Sequence, residues 1–363
     1  MARQATNEFR PDYAVAPGEV LGEELEVRGM TQQELAKRTG LSPKHIVSLV
    51  QAKSSITPET AIRLERALGM PADYWLNLES QYQEAVARIR EEAQLERDLG
   101  WLKRVPVSMM AKLGWIERRK DAKAQLVEVL RFFGIASVSQ WNDLWPSLNV
   151  AYRQHNHHEI FAEAVSAWLR RGEIEASQMT CAPFDKGLFR EALDKIRSLT
   201  TERPEFFVPR LQTLCAAAGV AVVFVPALPK TGVSGATRWL NANKAIIQLS
   251  LRYRTDDHLW FTFFHEAGHI LLHGKKELFL EGANGLDATK EAEANNFAEQ
   301  ELLPRAQLSN FVKQGQFGKA AIVAFAKMVG IAPGIVVGQL QHRRLLARNH
   351  CNDLKQTFGW DHE

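Results

Sequence analysis

The sequence predicts a mainly α-helical protein with one small α+β domain toward its C-terminal end. Three observations carry that reading. Short helical patterns, opened by capping residues and closed by Gly, fill residues 1–90. A Trp-rich helical stretch follows to about residue 205. Then the β-branched run Gly219-Val-Ala-Val-Val-Phe-Val-Pro226 brings in strand character. The 363 residues suffice for two or three domains at roughly 150 residues each. The expected domains are 1–90, 91–205 and 206–363.

The N-terminal helices are justified one by one. A first runs from about Gly18 to Arg28. A second opens at Thr31-Gln-Gln-Glu34, where Thr with Glu three residues later forms a capping box, and stops at Gly40. A third opens at Ser42-Pro43, Ser as N-cap and Pro in the first helical position. A fourth opens at Thr57-Pro58 and ends near Gly69. A fifth begins around Pro71 and extends through the charged stretch to Leu99.

In the second stretch Trp101, Trp115, Trp141, Trp145 and Trp168 recur among Leu and Phe, which predicts packing anchors. His155, His157 and His158 sit in the polar run Arg153-Gln-His-Asn-His-His-Glu159, which predicts a solvated turn rather than a metal site. In the third stretch Ser234–Trp239 and Ala245–Ser250 flank Asn241-Ala-Asn243, the pattern of a hairpin in a short antiparallel sheet.

Composition narrows the function classes. Hydrophobic residues at 45% and charged residues at 24% exclude a low-complexity or disordered chain. No apolar run is long enough to span a bilayer, and the first residues hold no signal core, so no membrane association is expected. Cys181, Cys215 and Cys351 form no Cys-x-x-Cys pair, which argues against a disulfide framework and for a cytoplasmic location. The net charge of +3 neither demands nor excludes nucleic acid, but seven basic residues face three acidic ones between Arg28 and Arg66.

Helices two and three read as a helix-turn-helix. Leu35, Ala36, Leu41, Ile46 and Leu49 are the expected shared core, and Gly40 allows the turn's positive φ. Pro43, Lys44, Ser48 and Gln51 then point outward from helix three, with His45 at the edge. Lys44, His45 and Ser48 are candidates for base edges or phosphates, and Gln32 for a phosphate. The run Leu41-Ser-Pro-Lys-His-Ile, the signature Ile56-Thr-Pro-Glu59 and Tyr74-Trp-Leu-Asn-Leu78 resemble the HigA/VapI antitoxin branch of the Xre-type helix-turn-helix family over about residues 14–80. The resemblance implies a five-helix domain that forms a homodimer and binds palindromic operator DNA.

The sharpest chemical pattern is His265-Glu266-Ala-Gly-His269. Residues four apart share a helix face, so both imidazoles can hold one Zn²⁺, and Glu266 stands beside them as a base for an attacking water. The surrounding helix, Leu259 to Leu272, is apolar nearly all round and should be buried, where two His and a Glu need partners. A third ligand is expected from Lys290–Leu303. Glu291 shares the face of Ala294, Ala298 and Leu302 and is preferred; Glu293, on the flank, is the alternative. Asn295 is placed to orient a ligand.

The HExxH helix, Leu271-Leu-His-Gly274, Glu291-Ala-Glu-Ala-Asn-Asn-Phe-Ala298 and Leu302-Leu-Pro304 resemble the ImmA/IrrE family of zinc metallo-endopeptidases over about residues 205–345. The resemblance implies gluzincin-like peptide hydrolysis with Glu266 as the base, and a substrate that is a repressor or toxin–antitoxin protein. It also implies a second oxyanion donor, for which His273, Arg252 and Tyr253 are candidates. The competing reading is an antitoxin-type repressor whose C-terminal domain binds a partner without proteolysis.

Residues 325–337 repeat the pattern of residues 35–47 at a constant offset of 290. Gly334 and Ile335 stand where Lys44 and His45 stand, so this second corner is expected to pack or bind a partner rather than read bases.

Overall fold

The computed structural model describes residues 14–145, 162–275, 279–280 and 288–359; His155, His157 and His158 fall outside them. The chain divides into two compact units, Met1–Leu99 and Gly100–Glu363.

The first unit holds α1 (Pro17–Val27), α2 (Gln32–Thr39), α3 (Pro43–Val50), α4 (Pro58–Leu68) and α5 (Ala72–Asp98). The expected caps form: Thr31, Ser42 and Thr57 accept the backbone N–H of Glu34, His45 and Thr60. Gly40 and Gly69 close α2 and α4 in the left-handed conformation. The capping box at Thr31 is only half used, because the Glu34 carboxylate turns along the helix to accept from Arg38. Leu35, Ala36, Ile46 and Leu49 are buried with Leu21, Leu64 and Trp75, while Leu41 is half-buried at the turn. Gly18 sets the crossing of α1 on α3: a Cβ there would lie 2.0 Å from the Leu49 carbonyl oxygen.

The second unit begins with α6 (Val107–Lys112), α7 (Ala122–Phe133), α8 (Val138–Leu144) and α9 (Ala162–Gln178). Trp101, Trp141 and Trp168 are buried, and Trp115 and Trp145 half-buried. The buried indoles of Trp141 and Trp168 donate to Ser166 Oγ and to the Val225 carbonyl. Next come α10 (Lys186–Ser198) and α11 (Pro204–Ala217), then β1 (Val220–Phe224), β2 (Gly235–Asn241) and β3 (Lys244–Leu249). After them lie α12 (Asp256–Leu272), β4 (Phe279–Leu280), α13 (Ala288–Leu302), α14 (Arg305–Gln314), α15 (Lys319–Val329) and α16 (Pro333–His342).

The sheet order is β1-β3-β2-β4. The predicted hairpin is the antiparallel β2–β3 pair, with Gly235 opposite Leu249. The sheet as a whole is mixed rather than antiparallel, because β1 pairs in parallel with β3. The chain between β1 and β2 steps past one strand position, and the hairpin folds β3 back into it. Alternation then assigns the two faces of β3. Ala245, Ile247 and Leu249 join the core of Trp260, Phe263 and Phe264 from α12. Gln248 points the other way and donates to the Trp168 carbonyl of α9. The sheet is therefore covered on both faces, and α12 is buried along nearly its whole length.

The second corner is a packing corner. Gly330 turns α15 into α16 with φ +77°, the counterpart of Gly40. A Cβ on Gly334 would lie 2.2 Å from Asp256 Oδ1, and Ile335 is buried, so this face is filled by the start of α12. The apolar residues of the bent pair α15–α16 belong largely to the core, and no single described helix is long and apolar enough to cross a membrane.

Asp256 and Asp257 anchor α12. Lys355 Nζ donates to Asp257 at 2.6 Å, and the Asp256 N–H donates to the Gln356 carbonyl. Burial, and secondarily the charge of Asp257, push the Asp256 carboxyl up to about 7. The fold therefore takes up a proton at Asp256 between about pH 4 and 7, and the stability present at acid pH is lost as pH rises through 7. Asp256→Asn should remove about 2 kcal/mol of the wild-type loss between pH 5 and 8. Urea titrations at the two pH values check this; an equal loss in both proteins would contradict it.

Candidate metal centre

α12 carries three ionisable side chains into an apolar interior: His265, Glu266 and His269 are each buried to 1% exposure or less. Gly268 sets how closely α13 approaches. A Cβ there would meet Phe297 at 3.1 Å and the Ala294 backbone at 3.3 Å. With Gly268 facing Ala294, the first turn of α13 reaches the imidazoles.

Three ligand-type groups converge. The Nε2 atoms of His265 and His269 are 3.0 Å apart. Glu291 Oε2 lies 3.3 Å from the first and Oε1 3.4 Å from the second. Metal–ligand bonds of ~2.0–2.1 Å at a tetrahedral angle place donor atoms roughly 3.3 Å apart, so the set fits one Zn²⁺-sized ion. His269 and Glu291 also shift each other's protonation. Burial is the largest influence on both groups. It lowers the proton affinity of His269, an effect only partly offset by Glu291. It would raise Glu291, but hydrogen bonds from His265 and His269 outweigh it and hold the carboxyl at about 2. A neutral imidazole and an ionised carboxylate are the ligating forms.

Each imidazole is held from behind. Asn295 Oδ1 is 3.0 Å from His265 Nδ1. His269 Nδ1 is 2.9 Å from His273 Nδ1, and His273 Nε2 is 3.0 Å from Glu293 Oε2. Phe279 of β4 stacks on the His269 ring at 4.0 Å. Of the two candidate carboxylates, Glu291 faces the ring nitrogens and Glu293 reaches His273. His273 lies on the Nδ1 side of His269, away from the converging Nε2 atoms. Arg252 donates to the Gly232 carbonyl, and Tyr253 stacks on His258. Both line a small hollow with Ser234 and Thr262, one helical turn before Glu266.

Glu266 sits against the sheet where β2 starts. A Cβ on Gly235 would come within 2.7 Å of Glu266 Oε1, and Thr237 Oγ1 donates to the Glu266 carbonyl. Sequence reasoning missed the roles of Gly235 and of the His273–Glu293 pair. Their signals were a lone Gly at a strand start and a third His continuing the four-residue spacing.

In the first unit, Gln32 and Lys44 are exposed in the first turns of α2 and α3, and His45 is half-buried. Ser48 is half-buried too, with its hydroxyl 2.7 Å from Ser54 Oγ. Val47, which the outward positions did not include, is 38% exposed. Arg63 braces the turn by donating to the Thr39 carbonyl.

A helix-turn-helix unit and an HExxH helix facing a carboxylate on a second helix define a two-part class: a regulator-type domain and a metallopeptidase-type domain in one polypeptide. The helix-turn-helix family model matches residues 22–75, and the model of the IrrE N-terminal-like domain, a peptidase family, matches residues 215–326. The chain belongs to the helix-turn-helix family and carries an IrrE N-terminal-like domain after it. It is 41% identical over 70 residues to virulence-associated protein I of Dichelobacter nodosus, covering 19% of this chain and 65% of that protein. It is 31% identical over 71 residues to the uncharacterized HTH-type transcriptional regulator YddM of Escherichia coli, covering 20% of this chain and 76% of that protein. A solved addiction module antidote protein of the HigA family from Coxiella burnetii is 31% identical, covering 25% of this chain and 96% of that one, with a TM-score of 0.22.

Proposed function

We propose that this chain is a cytoplasmic, homodimeric DNA-binding regulator that is also a zinc endopeptidase acting on a repressor or toxin–antitoxin protein. The observation that carries the proposal is the convergence of His265, His269 and Glu291 within one ion's reach, next to the buried Glu266.

In this reading His265, His269 and Glu291 hold Zn²⁺, and Asn295 fixes the His265 ring. Bound Zn²⁺ supplies Lewis-acid polarisation of the scissile carbonyl and the attacking water. Glu266 accepts the proton of that water and passes it to the leaving amine. Its burial keeps bulk solvent away from the reacting groups. In the first unit, α3 enters the major groove of operator DNA. Lys44 and His45 meet bases or phosphates, Gln32 meets a phosphate, and Ser48 stands one turn further on.

Metal analysis of the purified chain tests the centre. About one zinc per chain is expected. Glu291→Ala should weaken binding by more than the ~10–100-fold that outer partners of a metal site contribute. A wild-type chain that takes up no zinc from a zinc-supplemented buffer would refute the reading.

A further inference from the structure

We infer that His273 and Glu293 form a two-residue brace that orients His269 and sets which of its nitrogens carries the proton. The inference rests on the reading of His269 as a zinc ligand. One proton arrangement satisfies every distance in the chain. If His269 ligates through Nε2, its neutral ring carries hydrogen on Nδ1 and donates it across 2.9 Å to His273 Nδ1. His273 Nδ1 must then be bare, so its hydrogen sits on Nε2. There it meets the Glu293 carboxylate at 3.0 Å. Both His273 nitrogens and one Glu293 oxygen are thereby assigned.

The two ligating imidazoles are thus held by different chemistry. His265 donates to a neutral amide, Asn295. His269 donates to an imidazole that itself donates to an anion, so the carboxylate's influence reaches the ligand through an intervening ring. A plain surface ion pair would look different. Glu293 is 56% exposed, where a pairwise contact is worth little, but the His273 side chain is only 3% exposed and both its nitrogens are engaged. Phe279 packs on both rings and limits their rotation. His273 and Glu293 are positioning residues in this account, and Glu293 acts only through His273.

The test uses the full chain with Zn²⁺ as the probe, in competition with a chromophoric chelator. The absorption of the Co²⁺-substituted protein reports ligand geometry. His273→Ala should weaken Zn²⁺ binding about 10–100-fold, and Glu293→Gln less, in the same direction. The double variant should bind no more weakly than His273→Ala alone, because one brace is lost once. The Co²⁺ bands should move in every variant while the metal-free melting temperature of Glu293→Gln stays at the wild-type value. Losses that multiply in the double variant would overturn the brace. So would a Glu293→Gln protein with wild-type affinity and spectrum; that exposed site decides the matter even if His273→Ala does not fold. A wild-type chain that binds neither ion would overturn the metal centre itself, a different result from a silent brace on a zinc-binding chain.

Discussion

Glu266→Gln should keep about one zinc per chain and lower peptide cleavage by about 10²–10⁴-fold. Gln has nearly the same shape, so it fills the space beside Gly235 without disturbing β2. It cannot accept the proton of the attacking water. The residue is not one of the three groups that converge on the ion site, so the metal should stay. Cleavage assays with paired metal analysis separate the roles. Loss of zinc would make Glu266 a ligand, and undiminished cleavage would remove it from the chemistry.

Gly18→Ala should cost about 3 kcal/mol or more and unfold or distort the helix-turn-helix unit. The added methyl would overlap backbone, with the Leu49 carbonyl oxygen at 2.0 Å and that of Val50 at 2.9 Å. Backbone atoms inside α3 cannot swing aside as a side chain can, so α1 must move off α3. Operator footprinting should then show no protection, while zinc content stays near the wild-type value. Lys44→Ala is the folded comparison: its side chain is exposed, so it should weaken protection without loss of helicity. A Gly18→Ala protein with wild-type melting and full protection would contradict the close α1–α3 crossing.

Much of the fold was legible because it is decided locally. Thr31, Ser42 and Thr57 cap the helices they were read to cap, since an N-cap contact spans only three residues. The HExxH spacing and the shared face of Glu291 with Ala294 are single-helix periodicity, and they bring the ligand-type groups within reach of one another. Longer-range contacts were not legible. The parallel β1–β3 pairing depends on which strand fills a gap left by a connection, and no local pattern records it. Glu34 had two partners within reach, Thr31 and Arg38, and the structure has it on Arg38. Ser48 bonding to Ser54 and Glu293 reaching His273 are side-chain meetings that need the packed helices first. The same holds for Gly235, whose missing Cβ makes room for a residue 31 positions further along the chain.

The central claim joins a DNA-binding domain and a working peptidase in one regulator. A comparison of protein termini in cells expressing the wild type or Glu266→Gln at equal levels tests it most directly. New termini within a regulatory protein, present with the wild type and absent with the variant, are the expected result. Identical terminus profiles, with both proteins present and zinc-loaded, would contradict it.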